Sequence, residues 1–219
     1  MPWIVSVVGL KGGVGKSTLS LTLATTLHAA GYKVLIADCD PQGTAKAWAA
    51  RAAELERDGP AVVSLDGRQL RRDLDGLTSG IDLVVIDTPP RLGPDARAAM
   101  MVADLVLLPT TPGAADLWAL QETLTAVAEV QALKELKAVV VVNRADRTTL
   151  SRMTRDAVAE LGFPVLPAEL AVRVAFGEAI LAGSGVVQHA PGSPAAKEAQ
   201  ALTKAVLEAL GDKHGKRKK

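Results

Sequence analysis

A glycine-rich loop between an apolar run and a helical pattern constrains this chain more than any other stretch. Residues 3–8 form the apolar run, and residues 9–17 read Gly-Leu-Lys-Gly-Gly-Val-Gly-Lys-Ser before a stretch with helical spacing. Glycine permits backbone conformations that side chains forbid, so successive N–H groups of such a loop can converge on one anion. The dipole of the following helix strengthens the attraction. The order of strand, glycine loop and helix therefore predicts a phosphate-binding site.

Two side chains at the end of this loop suit a nucleotide with bound magnesium. Lys16 can reach the β- and γ-phosphates as a point charge. The hydroxyl of Ser17 is placed to ligate Mg²⁺. We therefore interpret the loop as a nucleotide site rather than a general anion site.

The loop departs from the usual phosphate-binding pattern at its beginning. Position 10, where that pattern has glycine, is leucine, and a second lysine follows as Lys11. The string from Lys11 to Ser17 resembles the deviant Walker A loop of the ParA/MinD family of ATPases. The resemblance implies ATP, Mg²⁺ and a homodimer in which Lys11 crosses to the partner subunit's nucleotide, where its charge acts as an arginine finger does. The alternative is a solvated lysine beside an ordinary phosphate-binding loop.

Apolar runs alternate with helical patterns along nearly the whole chain, which is typical of an α/β fold. The 219 residues are 48% hydrophobic and 3% aromatic, a composition that suits strands buried on both faces of a parallel sheet. We predict an open, mostly parallel twisted sheet with helices on both faces, as in P-loop nucleoside triphosphatases, within one domain over residues 1–211. The predicted strands are 3–8, 33–38, 61–65, 82–87, 104–109, 138–143 and 164–166, and the predicted helices are 17–30, 44–57, 67–78, 94–102, 114–133, 148–161, 173–182 and 194–210.

The last residues form a basic tail that differs from the rest of the chain. Residues 213–219 carry five positive charges, so the net charge of +1 leaves −4 for residues 1–212. We predict that residues 212–219 are disordered. No apolar side chain occurs from residue 211 onwards, so the tail can attract a polyanion but cannot insert into acyl chains, unlike the C-terminal helix of MinD.

Other absences in the sequence narrow the function further. The chain has no charged and apolar leader and no apolar run of 18 residues, so we predict a cytoplasmic protein without membrane contact. A single cysteine, Cys39, excludes a disulfide framework or a cysteine metal cluster within one chain.

Carboxylates stand at the ends of two predicted strands. Asp38 and Asp40 end one of them, and Asp87 ends another. Because the carboxyl ends of parallel strands face the ligand crevice, we expect these side chains near the phosphates. Asp87 fits a Walker B aspartate that holds Mg²⁺ directly or through water. The first pair resembles the family's Walker A′ motif, which implies that Asp40 orients the attacking water and Asp38 supports the metal; the alternative is a turn stabilised by local hydrogen bonds.

A predicted strand leads into Asn143-Arg144-Ala145-Asp146, a string that could contact either an adenine or a guanine base. The string fits the Asn-Lys-x-Asp type of guanine reader, in which the aspartate accepts from the base. The ParA/MinD family instead uses asparagine here against adenine, so the resemblance implies that Asn143 contacts the base of ATP, and the role of Asp146 stays open. Pro167 is assigned to adenine as well, with a bare strand-end proline as the alternative.

The assignments combine into one site. The catalytic residues are Lys11, Lys16 and Asp40, and the metal residues are Ser17, Asp38 and Asp87. The nucleotide-binding residues are Lys11, Gly12, Gly13, Val14, Gly15, Lys16, Ser17, Thr18, Asn143 and Pro167.

Two further stretches resemble parts of the family's dimer face. Thr88-Pro89-Pro90 resembles the switch-like segment that reports the γ-phosphate, and Trp118 lies among leucines on a helix in a region that contributes to the dimer face. A tryptophan at helical spacing with leucines fits a core and an interface equally well.

Arginines cluster downstream of the predicted base-binding strand. A row of arginines can bind duplex phosphates without reading sequence, with an affinity that falls steeply with salt. The alternative is a solvated helix face, on which Asp156 and Glu160 offset part of the charge. Because small ParA proteins bind the nucleoid as ATP-bound dimers, the resemblance favours DNA binding. The residues assigned to it are Arg144, Arg147, Arg152, Arg155 and Arg173, together with Lys216, Arg217, Lys218 and Lys219.

The resemblance implies a cytoplasmic, nucleoid-associated ATPase with slow basal turnover. It would form an ATP-sandwich dimer, bind DNA non-specifically and distribute a plasmid, a chromosome region or a protein assembly, until a ParB-like or other partner stimulates hydrolysis. Two alternatives stay open: a MinD-like membrane-positioning ATPase, which the composition of the tail argues against, and a metabolic ATP-dependent ligase on the same scaffold.

Overall fold

Seven parallel strands form the sheet at the centre of the structure. The computed structural model describes residues 1–146 and 148–211. The strands are Trp3–Val7 (β1), Val34–Asp38 (β2), Ala61–Ser64 (β3), Leu83–Asp87 (β4), Leu105–Thr110 (β5), Lys137–Ala145 (β6) and Leu170–Ala171 (β7). Their order across the sheet is β3-β2-β4-β1-β5-β6-β7, and each described pair runs parallel.

Helices cover both faces of this sheet. They are Lys16–Ala29 (α1), Thr44–Glu54 (α2), Leu70–Leu77 (α3, after a 3-10 turn at Gly67–Gln69), Pro94–Val102 (α4), Ala114–Gln131 (α5), Thr149–Glu160 (α6), Val174–Leu181 (α7), Val186–His189 (α8) and Pro194–Leu210 (α9). Helices α1, α2, α7, α8 and α9 pack against one face, and α3 to α6 pack against the other. Every residue of β2, β4 and β5 is buried, as expected for strands covered on both sides. The predicted fold class is confirmed.

The predicted strand at 164–166 is wrong. There, Val165 makes a single bridge to Val140, and the last strand of the sheet is β7 instead. Pro164 and Pro167 flank this stretch, and proline has no N–H to donate to a ladder. The short helix α8 was not predicted either, because four residues carry too little periodicity to be recognised.

Helix α1 holds the glycine loop in place because it is buried on almost every side. It lies between the sheet and α7, α8 and α9, and 10 of its 14 residues are buried. At the other end of the loop, Val7 of β1 lies opposite Asp87 of β4, which in turn lies opposite Asp38 of β2. The loop and the predicted carboxylates therefore meet at the carboxyl edge of the central strands.

Candidate functional site

The glycine loop leaves β1 and turns into α1 through two residues in the left-handed region. Gly13 has φ 81° and Gly15 has φ 87°, values that side chains rarely adopt. Gly15 is the N-cap of α1. No side chain caps this helix end, so its first N–H groups are available to an anion. Lys16, Ser17 and Thr18 are the first residues of the helix, as the predicted site requires.

Lys16 lies over the loop rather than in solvent. Its side chain is buried, and Nζ donates to the carbonyl oxygen of Lys11 at 2.9 Å. Burial lowers the pKa of Lys16, and the nearby charges of Asp87 and Asp40 oppose that shift. The structure thus brings together a buried ammonium group and two of the predicted carboxylates.

Asp87 is the most deeply buried carboxylate of the site. Its Oδ1 accepts from the hydroxyl of Ser20 at 3.0 Å, whereas its Oδ2 is buried without a hydrogen-bond partner. Burial raises the pKa of Asp87 to about 6, and hydrogen bonds with Ser17 and Ser20 oppose the shift. A buried oxygen with an unused lone pair beside a serine hydroxyl fits Mg²⁺, a hard cation that takes few protein oxygens and completes its shell with phosphates and water.

The metal residues are few. No group of three or more His, Cys, Asp or Glu side chains that could hold an ion occurs in the described part of the chain. Ser17 and Asp87 would therefore hold Mg²⁺ together with the phosphates of the nucleotide, as in other P-loop sites. Bound there, Mg²⁺ would offset part of the negative charge that develops on the γ-phosphate during hydrolysis.

Ser20 is a residue of the site that the sequence prediction missed. Its hydroxyl donates to Asp87 and contacts the carbonyl oxygen of Lys16 at 3.0 Å, so it orients the Walker B carboxylate. The spacing of Ser17 and Ser20 was the available signal, because residues three apart lie on one face of a helix.

Asp38 and Asp40 follow β2 and have different hydrogen-bond environments. The two oxygens of Asp38 accept backbone N–H groups from Asp40 at 3.2 Å and from Lys46 at 3.0 Å. Asp38 therefore fixes the loop that carries Asp40 and caps the first turn of α2. Burial raises its pKa, and these hydrogen bonds oppose the shift. Asp40 is only half buried, and its Oδ1 accepts from the backbone N–H of Gln42 at 3.0 Å.

A cavity of about 460 Å³ opens beside Asp40. Four carboxylates contribute to its wall, from Asp38, Asp40, Asp66 and Asp95, and the cation of Lys46 lies among them. This negative cleft is the open approach to the carboxylate that we assign to the attacking water.

Asn143 contacts the glycine loop directly. Its Nδ2 donates to the carbonyl oxygen of Val14 at 2.6 Å, and its Oδ1 accepts from the backbone N–H of Arg144 at 2.9 Å. Arg144 has φ 52°, so the chain turns sharply after the asparagine. The remaining N–H and lone pair of the amide match the acceptor and donor on the edge of adenine. Pro167 is exposed, and its contact with adenine stays a prediction.

Asp146 has a structural role in this arrangement. Its Oδ1 accepts from the backbone N–H of Thr148 at 3.1 Å and from the hydroxyls of Thr148 and Ser151, each at 2.5 Å. These hydrogen bonds lower the pKa of Asp146 and hold Thr148, the N-cap of α6, whose hydroxyl accepts from the backbone N–H of Ser151. Because one oxygen already takes three donors, the carboxylate is poorly placed to accept the two N–H groups of guanine.

The switch-like segment lies against the loop. Thr88 donates its hydroxyl to the carbonyl oxygen of Val7 at 2.8 Å, and a Cβ added at Gly12 would lie 3.8 Å from Cβ of Pro90. A change in the conformation of the loop would therefore alter its contact with Pro90. Trp118 on α5 is 66% exposed, which contradicts the interpretation as a core residue.

Lys11 points away from Lys16 towards α5. Its side chain is 43% exposed, and Nζ lies 2.9 Å from Oδ1 of Asp116 in the first turn of that helix. The structure thus separates the two lysines of the loop into one buried and one surface group.

The predicted DNA-binding arginines differ in their exposure and in the ion pairs that the structure shows. Arg155 is paired with Glu169, and Arg173 is paired with Glu198 at 2.6 Å. Arg144 and Arg152 are exposed. The other residues assigned to DNA lie outside the described residues: Arg147, Lys216, Arg217, Lys218 and Lys219.

Across the described residues, no helix is both long and apolar enough to cross a bilayer.

Comparisons with known proteins agree with this geometry. A family model described as the CobQ/CobB/MinD/ParA nucleotide binding domain matches residues 5–186. The chain is 31% identical to the "Maintenance of carboxysome distribution protein A" of Halothiobacillus neapolitanus, over 93% of this chain and 95% of that protein. It is 35% identical to the protein of the same name from Gloeobacter kilaueensis, over 95% and 94%. The structure resembles the cell division ATPase MinD of Pyrococcus furiosus, with a TM-score of 0.75 and 26% identity over 95% and 99%.

The buried carboxylate of Asp87 gives a prediction for stability against pH in the absence of nucleotide and metal. Its pKa rises from 3.8 to about 6 on folding. Between these pH values the folded protein binds more protons than the unfolded chain, so the free energy of unfolding decreases as the pH rises, by about 3 kcal/mol. In urea titrations from pH 3.5 to 7.5, Asp87→Asn should lose this slope and Asp75→Asn, an exposed control on α3, should keep it. Equal slopes in Asp87→Asn and the parent would contradict the buried-carboxylate argument.

The contact between Gly15 and Asn143 gives a second prediction. An alanine Cβ at Gly15 would lie 2.3 Å from Nδ2 of Asn143, whereas nothing lies within 4 Å at Gly31, which has a similar φ of 90°. Gly31→Ala should cost about 1–2 kcal/mol of stability from backbone strain alone and leave nucleotide affinity unchanged. Gly15→Ala should also weaken nucleotide binding, by about five- to 150-fold. The added Cβ would displace Asn143 and break the buried hydrogen bond between its Nδ2 and the carbonyl oxygen of Val14. Calorimetric titration of both variants would test this, and equal affinities would refute it.

The hydrogen bonds of Asp146 predict that this residue stabilises α6 without selecting the base. Asp146→Ala should lower the urea midpoint of unfolding, because Thr148 loses the acceptor that orients its capping hydroxyl. It should leave the preference for ATP over GTP unchanged in competition binding. Asn143→Ala is the contrasting variant, and it should weaken ATP binding. Selective loss of GTP binding in Asp146→Ala would instead make Asp146 a guanine reader.

Proposed function

Because this chain belongs to the CobQ/CobB/MinD/ParA family of nucleotide-binding domains, we propose that it is a ParA-like ATPase that distributes a cargo over the nucleoid. It is an ATPase of the ParA/MinD type, and ATP and Mg²⁺ are its nucleotide and metal ion. The observation that carries the proposal is the division of the loop lysines, with Lys16 buried among carboxylates and Lys11 on the surface.

The hydrolytic step uses residues of the site in distinct roles. Backbone N–H groups of the loop and Lys16 bind the phosphates, and Ser17 and Asp87 hold Mg²⁺. The charge of Asp40 opposes the lowering of the Lys16 pKa, which supports the assignment of its carboxylate to the neighbourhood of the phosphates. It orients a water that attacks the γ-phosphorus while the bond to the β-bridging oxygen breaks, giving ADP and phosphate. Asp38 keeps Asp40 in place through the backbone bond between them.

A second copy of the chain completes the site. Members of the ParA/MinD family dimerise with ATP. Lys11 is half exposed, and Trp118 presents a large apolar surface two residues beyond Asp116, which Lys11 contacts. Exposed tryptophans next to charged groups are typical anchors of protein interfaces. In the proposed dimer, Trp118 packs on the partner and Lys11 reaches the partner's nucleotide.

Duplex DNA is the proposed surface that the dimer binds while it distributes its cargo. Arg144 near the end of β6 and Arg152 on α6 are exposed in the described part of the chain, and the tail adds further positive charge. The ion pairs of Arg155 and Arg173 with glutamates reduce what these two residues contribute. A single chain therefore offers few phosphate contacts, whereas a dimer doubles them, which couples DNA binding to ATP.

The relatives favour a protein assembly as the cargo. Two of them, 31% and 35% identical to this chain, are named for the distribution of carboxysomes. We propose that an adaptor protein links the cargo to the dimer and stimulates hydrolysis, as a ParB-like partner would. The acidic cleft beside Asp40 fits a basic side chain of such an adaptor.

Binding to a random-sequence duplex across a salt series tests this function. The protein should bind only with ATP, and Asp40→Ala should bind more strongly, because the ATP-bound dimer is no longer reset. Asp58→Ala, which removes an exposed carboxylate paired with His28, is the matched control and should behave as the parent does. An ATPase that binds duplex in no nucleotide state would contradict the nucleoid track.

The same salt series identifies the cations involved. Arg144→Ala should reduce the slope of log affinity against log salt by about two in the dimer, one phosphate contact for each chain. A chain ending at residue 211 should reduce it further. If neither change alters the slope, DNA is bound elsewhere.

A further inference from the structure

We infer that Asp116 is a positioning residue that holds Lys11 within its own subunit and so sets how readily the ATP-dependent dimer forms. The inference rests on the proposed function, since it concerns the lysine that reaches the partner. Nζ of Lys11 lies 2.9 Å from Oδ1 of Asp116. The side chain of Asp116 is 12% exposed, so this carboxylate is largely withdrawn from water.

Asp116 is itself held firmly at the start of α5. It lies in the first turn of that helix, where the helix dipole favours a negative charge. A Cβ added at Gly113 would lie 3.2 Å from its Oδ2, so the carboxylate sits close against the backbone of the helix start. The other end of the pair is fixed too, because Lys16 donates to the carbonyl oxygen of Lys11.

Packing between the loop and α5 keeps these groups together. Residues Leu10, Lys11 and Val14 of the loop line one small space with Asp116, Leu120 and Thr123 of α5. The space measures about 10 Å³, enough for one water molecule at most, so the two elements pack closely. The pair is therefore part of a packed contact rather than a chance meeting of two mobile surface side chains.

The intrachain pair competes with the contact that Lys11 makes in the proposed dimer. The ammonium group must leave Asp116 to reach a phosphate of the partner's nucleotide, and Asp116 then stays as an unpaired, poorly hydrated carboxylate. A partly exposed ion pair shifts an equilibrium by about two- to fivefold. Since both chains must release their lysine, the dimerisation constant changes by the square, about four- to 25-fold.

Sedimentation with ATP tests the inference in chains that also carry Asp40→Ala, which prevents loss of the dimer through hydrolysis. Asp116→Asn should shift dimerisation to about four- to 25-fold lower protein concentration. Asp116→Glu keeps a carboxylate within reach of Lys11 and should stay close to the parent. Glu160→Gln removes a charge from an exposed position at the end of α6 and serves as the matched control. Unchanged or weakened dimerisation in Asp116→Asn would overturn the inference.

A second measurement does not depend on dimer formation. Limited acylation without nucleotide, read by peptide mass spectrometry, reports how accessible the Lys11 amine is relative to Lys204, which is 73% exposed on α9. Asp116→Asn should raise Lys11 labelling by about two- to fivefold, the worth of one such pair. Equal labelling in Asp116→Asn and the parent would overturn the inference. A parent that shows this protected lysine but never dimerises with ATP would contradict the proposed function and leave the intrachain pair established.

Discussion

The carboxylate of Asp87 is the interaction on which the arrangement of the site depends. It is completely buried, and one of its oxygens has no hydrogen-bond partner. A charge in such a place is costly unless a cation stands beside it. The loop places one buried cation near it, Lys16, and a magnesium ion bound with ATP would be a second. Binding of Mg²⁺ with ATP would therefore relieve a penalty that is built into the fold.

The sheet makes this buried position possible. Val7, Asp87 and Asp38 end their strands side by side, and α1 fills the space above the neighbouring face. Because α1 is surrounded by the sheet and by α7 to α9, the loop cannot relax away from Asp87 without disturbing the core. The geometry of a phosphate site is thus fixed by packing far from the phosphates, as rigid support of a binding site requires.

The sequence was sufficient for the parts that depend on short-range patterns. Apolar runs ending in aspartate located β2 and β4, and the glycines located the loop, because each signal lies within a few residues. The pairs Lys11–Asp116 and Asn143–Val14 join residues far apart in the chain, and no local pattern encodes them. The string that contains Asp146 allows the role of a base reader, and only its three donors from Thr148 and Ser151 show that it supports the N-cap of α6. The prediction of a strand at 164–166 was wrong because it used hydrophobicity alone. Whether this stretch can form a ladder of hydrogen bonds also depends on Pro164, on Pro167 and on the strand beside it.

Burial also explains why two lysines only five residues apart can take different roles. Lys16 is buried, and desolvation together with its bond to the Lys11 carbonyl confines it to its own loop. Lys11 keeps almost half of its side chain in solvent, so it can change partners at the cost of one ion pair. In the proposed dimer the two lysines therefore have different roles. Lys16 binds the ATP of its own chain, and Lys11 contacts the ATP of the partner chain. In the proposed function the dimer also favours DNA binding, because Arg155 and Arg173 are paired with glutamates and a second copy would double the phosphate contacts that remain.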